Sequence, residues 1–149
     1  MTAPTTKTDH AAHFARFKEV LNALDRDHME LVDEVYAPDM RFQDPVHALE
    51  GRDAFRVYLE RLYANVKHCH FKIRHEALQG DTAFIAWTME LRHARFRKHE
   101  TLYLDGMSMV IFGSDGKINV HHDSFDLGAM LYERLPILGR IAKYIKGAL

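Results

Sequence analysis

Cysteine is nearly absent: Cys69 is the single one in 149 residues. No intramolecular disulfide can form, and a reducing compartment such as the cytoplasm is the expected location. No stretch approaches the roughly 20 apolar residues needed to cross a bilayer, so no membrane partner is expected. Residues 1–10 carry Pro, Thr and charge but no apolar segment, which excludes a secretory signal and predicts a disordered terminus. Neither sign of charge is in excess. The 20 Lys and Arg face 21 Asp and Glu, whereas a nucleic-acid binder normally carries a basic surplus. The sequence also lacks a Gly-rich phosphate loop, an H-E-x-x-H motif and paired C-x-x-C motifs. Eleven histidines are present. His68 with His70, and His121 with Asp123, have same-face spacing, but such pairs on strands are ordinarily polar surface. No metal and no cofactor is therefore expected.

What is present is hydrophobic periodicity, and its period changes along the chain. Phe14, Phe17, Val20, Leu21 and Leu24 recur every three or four residues, which predicts a helix from about Ala11 with Asp9 as its cap. A second short helix carries Met29, Leu31, Val32, Val35 and Tyr36 and is ended by Pro38. Met40–Asp44 alternates like a short strand, and 46–51 reads as a loop. A third helix spans Asp53–Asn65, with Phe55, Tyr58, Leu59 and Leu62 on one face.

From Cys69 onward the period falls towards 2. Cys69, Phe71 and Ile73 alternate with His70, Lys72 and Arg74. Strands over Thr82–Leu91, Thr101–Phe112 and Lys117–Phe125 follow, joined by turns that make them antiparallel neighbours. The basic run from Arg92 to His99 reads as a solvated hairpin or as a site for an anion. Asp105, just before Gly106, reads as a bulge or loop residue. The segment 127–149 returns to helical spacing around Pro136 and Gly139. Its Arg134, Arg140, Lys143 and Lys146 form either a solvated face or a membrane-surface one. Helices followed by a strand meander predict an α+β fold, with the helices on one side of the sheet.

Three motifs carry a family resemblance. Tyr36-Ala37-Pro38-Asp39-Met40-Arg41-Phe42-Gln43-Asp44-Pro45, followed by Gly51-Arg52, resembles a pattern of ketosteroid isomerases. Phe112-Gly113-Ser114-Asp115-Gly116-Lys117-Ile118 resembles the turn into their last strand, and His121-His122-Asp123-Ser124-Phe125-Asp126 resembles the SnoaL-like ending of that strand. In order and spacing, residues 11–126 are similar to the nuclear-transport-factor-2-like superfamily. That group includes ketosteroid isomerases, limonene-epoxide hydrolases and SnoaL-like polyketide cyclases. The resemblance implies a cone: three N-terminal helices packed into a curved antiparallel sheet around an apolar cavity, here with a C-terminal helical extension at 127–149. It also implies homodimers through the outer sheet face. The alternation permits this, because Tyr103, Met107, Met109 and Ile111 oppose Ser108 and Val110.

The resemblance places Asp44 where the isomerases carry their proton-shuttling Asp. Desolvation beside Phe42 and Pro45 is expected to raise its pKa and make it a better base. The other reading of Asp44 is a cap for the loop before the third helix. His121 and Asp123, two apart on a strand, share a face. They read as a proton shuttle, with Asp123 as acid/base residue by similarity to the cyclases, or as a structural hydrogen bond.

The isomerases' oxyanion hole is not matched. Ser108 occupies the place of its strand Asp, and Phe17 or Val20 the place of its helix Tyr. Removal of such a donor costs on the order of hundreds-fold in rate, so steroid isomerisation by that route is not expected. The Asp-Arg-Asp set of the epoxide hydrolases is not evident. The pocket wall is expected from Phe17, Tyr36, Phe42, Tyr58, Trp87, Ser108, Val110 and Phe125, with Glu90 facing either pocket or solvent. Two functions remain: cofactor-free acid/base catalysis on a small hydrophobic molecule, or a non-catalytic ligand-binding or dimerisation module.

Overall fold

The computed structural model describes residues 8–94, 100–126 and 128. The first seven residues, the part of the basic run at 95–99 and the expected C-terminal helix lie outside the described residues. Among the described residues, three helices and six strands follow one another: α1 (Ala11–Ala23), α2 (Leu31–Val35), β1 (Tyr36–Gln43), β2 (Ala48–Glu50), α3 (Arg52–Tyr63), β3 (Val66–Gln79), β4 (Thr82–His93), β5 (Leu102–Phe112) and β6 (Ile118–Phe125). The strands form one curved sheet in the order β2-β1-β6-β5-β4-β3. β3 to β6 are the expected antiparallel meander. β1 is parallel to β6, so the sheet is mixed rather than wholly antiparallel. The expected loop at 46–51 contains β2, an edge strand paired antiparallel with β1.

Local chemistry explains the boundaries. Asp9 Oδ1 accepts the Ala11 N–H at 3.0 Å, satisfying one of the free donors at the start of α1. α2 ends at Val35, where Tyr36 turns extended (φ −103°, ψ 141°). Pro38 therefore lies inside β1 and not at the helix end. The β1–β6 register shifts between Tyr36 and Arg41, as expected where a residue without an N–H sits in a strand. Gly51, at φ 91°, occupies backbone space that side chains avoid and precedes α3. Its N–H bonds Met40 O at 2.7 Å, and Arg52 Nη1 donates to Tyr36 O at 3.0 Å. The Gly-Arg pair thus fastens the start of α3 to β1.

The core lies between the helices and the inner sheet face. Phe14, Phe17 and Val20 of α1 pack with Met40 and Phe42 of β1, Phe55 and Leu59 of α3, and Ile85, Trp87, Val110 and Ile118 of the sheet. Strict alternation along β5 buries Leu102, Leu104, Ser108, Val110 and Phe112. It turns Tyr103 and Met107 to the outer face, where they are exposed. Asp105 is not a loop residue. It sits within β5, opposite Thr88, whose hydroxyl donates to it at 2.5 Å.

Trp87 lies directly opposite Gly106. A methyl group at Gly106 would sit 2.2 Å from Trp87 Cη2, far inside van der Waals contact. The glycine is thus the floor on which the indole lies. Gly106→Ala is expected to destabilise the fold by about 1–3 kcal/mol through overpacking. Urea unfolding followed by Trp87 fluorescence measures this. A variant as stable as the parent, with unchanged emission, would contradict the packing described.

Candidate functional site

α1 fills its part of the concave face with Phe14, Phe17 and Val20, but α3 leaves a hollow of about 240 Å³ between itself and β3–β6. α3 contributes Tyr58, Leu62 and Tyr63 to its wall, and β3 contributes Val66, Cys69 and Phe71. Trp87, Met89, Leu91 and His93 come from β4, Leu104 from β5, Asp123 and Phe125 from β6, and Asp44, Val46 and His47 from the β1–β2 turn. Val46 and Leu62 are exposed and form part of the rim. The wall is overwhelmingly apolar, as a small-molecule site requires. Its carboxylates come from the sheet's last strand and from the β1–β2 turn.

Asp123 is the end of a hydrogen-bonded chain. Ser108, its cross-strand neighbour on β5, donates to Oδ1 at 2.5 Å. His121 Nε2 lies 2.7 Å from the same oxygen. Trp87 Nε1 donates to Ser108 Oγ at 2.9 Å, and Tyr36 Oη lies 2.8 Å from His121 Nδ1. A carboxylate only accepts, so the network assigns the proton to Nε2, and Tyr36 donates to Nδ1. His121 is buried, stacked on Tyr36 and edge-on to Phe17 and Phe42. It does not line the cavity; it stands behind Asp123 and orients it. Burial, with Asp123's charge added, pushes the Tyr36 phenol well above its ordinary range, so it remains a donor at neutral pH.

Asp44 is differently placed. Its Oδ1 accepts the Val46 and His47 N–H groups at 2.7 and 2.6 Å, closing the turn between β1 and β2. Tyr58 donates to Oδ2 at 2.8 Å, and His47 Nδ1 stands 3.2 Å from Oδ1. Burial pushes the carboxyl up, but the amides of Val46 and His47, the Tyr58 hydroxyl and the His47 ring outweigh it and hold Asp44 below the usual carboxylate range. This corrects the expected raised pKa. Hydrogen bonding to the charged form beats desolvation, and Asp44 is a poorer base than a free aspartate. Asp44 organises the loop before α3, as one of the two readings expected, and it also lines the cavity. Burial and then Asp44 raise the Tyr58 phenol.

Of the other expected wall residues, Tyr58, Trp87 and Phe125 line the cavity. Phe17, Tyr36, Phe42 and Val110 are core residues beneath it. Ser108 is buried and reaches the site only through Asp123. Glu90 belongs to the opposite parity from Trp87, Met89 and Leu91 and pairs with Tyr103 on the outer face. A strand's period of two excludes it from the wall. His47 and Cys69 were not anticipated at the site. Burial pushes the Cys69 thiol up to about 11, and a hydrogen bond with Tyr63 offsets this only in part. Among the described residues, no group of three or more His, Cys, Asp or Glu is placed to hold a metal ion. No helix among them is long and apolar enough to cross a membrane.

A carboxyl with a folded-state pKa below its unfolded value stabilises the fold above the unfolded value. It loses that contribution as pH falls through the folded one. Asp44 belongs to this class, so the protein is expected to lose stability on acidification below about pH 4. Asp44→Asn keeps an Oδ1 for the two turn amides and makes that loss shallower. Urea midpoints between pH 7 and pH 3 test this; identical acid slopes for the two proteins would contradict it.

The comparisons with known proteins agree with the fold. An epoxide hydrolase from M. tuberculosis described as LEH-like has a TM-score of 0.66 at 19% identity, covering 79% of this chain and 85% of its own. A Shewanella denitrificans protein named as a SnoaL-like polyketide cyclase has a TM-score of 0.70 at 16% identity, covering 81% and 93%. An NTF2-like protein of unknown function from Burkholderia pseudomallei has a TM-score of 0.70 at 14% identity, covering 83% and 95%. At these identities the likeness is one of fold. No curated protein matches the sequence significantly. The SnoaL-like domain model matches residues 17–121, most of the span from α1 to the wall of the cavity, and the chain belongs to that family.

Proposed function

We propose that this protein carries out cofactor-free proton transfer on a small hydrophobic molecule held in the cavity, with Asp123 as the proton carrier. One observation supports this above the others. Asp123 faces an apolar hollow while Ser108 and His121 both hold its Oδ1. In this reading Oδ2 takes a proton from a carbon or from a water beside the ligand and returns it to another atom. A carboxylate so oriented meets the geometric demand on a general base. His121 is a positioning residue, held by Tyr36, and Asp44 supplies a fixed negative charge. The volume of about 240 Å³ falls below the range of drug-sized pockets, which disfavours a four-ring steroid. Epoxide opening by water would use the same carrier, but no Arg lines the cavity among the described residues.

The second reading, a ligand-binding module without chemistry, is favoured by Asp44, which the turn amides and Tyr58 hold as a fixed charge rather than as a base. The exposed Phe84, Tyr103 and Met107 support a homodimer through the outer sheet face in either case. A cytoplasmic location accords with the lone free thiol.

Deuterium incorporation from D₂O into a panel of small cyclic ketones, followed by mass spectrometry, separates these readings. Catalysis predicts exchange that falls by about 10²–10⁴-fold in Asp123→Asn while ligand binding persists. Binding without exchange would leave the module as the function, and exchange undiminished in Asp123→Asn would overturn Asp123 as the proton carrier.

A further inference from the structure

The cavity wall also bears on the charge of its occupant. Five aromatic side chains line it: Tyr58, Tyr63, Phe71, Trp87 and Phe125. Phe71 and Trp87 meet edge to face with centroids 5.1 Å apart, which fixes them as one surface. Two carboxylates, Asp44 and Asp123, share the wall, and no Lys or Arg does among the described residues. The described ring nitrogen that meets each belongs to a histidine: His47 for Asp44 and His121 for Asp123.

Asp44 has a nearly buried side chain, 3% exposed, while the His47 side chain is 44% exposed. Its charge is therefore held by two backbone amides and a phenol rather than by a fixed cation. A negative charge in weakly screened surroundings without a full counter-charge attracts one strongly. Aromatic faces attract cations as well, through the ring quadrupole.

We infer that the cavity selects a small protonated amine, its apolar body against Phe71 and Trp87 and its ammonium directed to Asp44. This rests on the cavity being a ligand site, as proposed above, and divides the labour between the carboxylates: Asp44 anchors the cation and Asp123 moves the proton. The size follows by proportion, since an apolar cavity of about 150 Å³ accepts benzene. A hollow of about 240 Å³ then suits roughly ten non-hydrogen atoms. An anion of the same shape meets two carboxylates and, among the described residues, no Lys or Arg.

Calorimetric titration at pH 7 with 2-phenylethylamine, 2-phenylethanol and phenylacetate tests this, because the three share a ring and differ in terminal charge. The amine is expected to bind at least about tenfold more tightly than the alcohol, and phenylacetate more weakly than either. In Asp44→Asn the amine's advantage is expected to shrink to less than about threefold, with the alcohol little changed. Equal binding of amine and alcohol, or phenylacetate as tight as the alcohol, would overturn the inference while leaving the cavity a ligand site. Failure of all three to bind would remove both. The wild-type series decides the matter even if Asp44→Asn does not fold.

Discussion

A carboxylate set against hydrocarbon must collect its hydrogen bonds from the protein, and much of this site follows from that demand. Asp123 is met by Ser108 and His121. Those two are held by Trp87 and Tyr36, so the chain of donors runs from β4 across β5 and β6 to β1. Each link satisfies a buried polar group that would otherwise cost about 1–3 kcal/mol. The same side chains are also core: Tyr36, Trp87 and His121 pack against phenylalanines or the inner sheet face. Packing and polarity are therefore not separate layers here. The core holds the network, and the network holds one carboxylate at the cavity wall.

Asp44 solves the same problem by local means. Its donors come from the two amides of its own turn and from Tyr58 of α3. Gly51 and Arg52 place α3 against β1 at a fixed distance, so that Tyr58 reaches back to the turn. One carboxylate is thus tied to the sheet and the other to the junction of turn and helix. The hollow lies where α3 spans the sheet, with Phe55 and Leu59 packed into the core and Tyr58, Leu62 and Tyr63 left to form its wall.

Much of the architecture was readable from period alone. The β5 alternation separated Ser108 and Val110 from Tyr103 and Met107, and the i, i+2 spacing of His121 and Asp123 placed them on one face. Contacts between distant segments were not readable. The parallel pairing of β1 with β6 joins residues about 80 positions apart, such as Phe42 and His121, and no local pattern encodes it. β2 has three residues and no burial pattern of its own, so it looks like loop. Glu90 was ambiguous because both parities of β4 are apolar, and only its pairing with Tyr103 resolves it. The direction of Asp44's pKa failed for a different reason. Burial can be guessed from apolar neighbours, whereas the donors depend on a turn closing and on Tyr58 arriving from another element. His47 had a signal, a His three residues after an Asp that precedes Pro, but no rule of spacing singles it out.

The account depends on a hollow that is open to small apolar molecules and bounded by Asp123. Diffraction from crystals held under xenon pressure tests this most directly, because xenon occupies apolar cavities without needing any particular functional group. The account predicts a xenon peak enclosed by Phe71, Trp87, Met89 and Leu104, with Asp123 at its edge. A structure in which those side chains close on one another, leaving no xenon and turning Asp123 away into solvent, would contradict it.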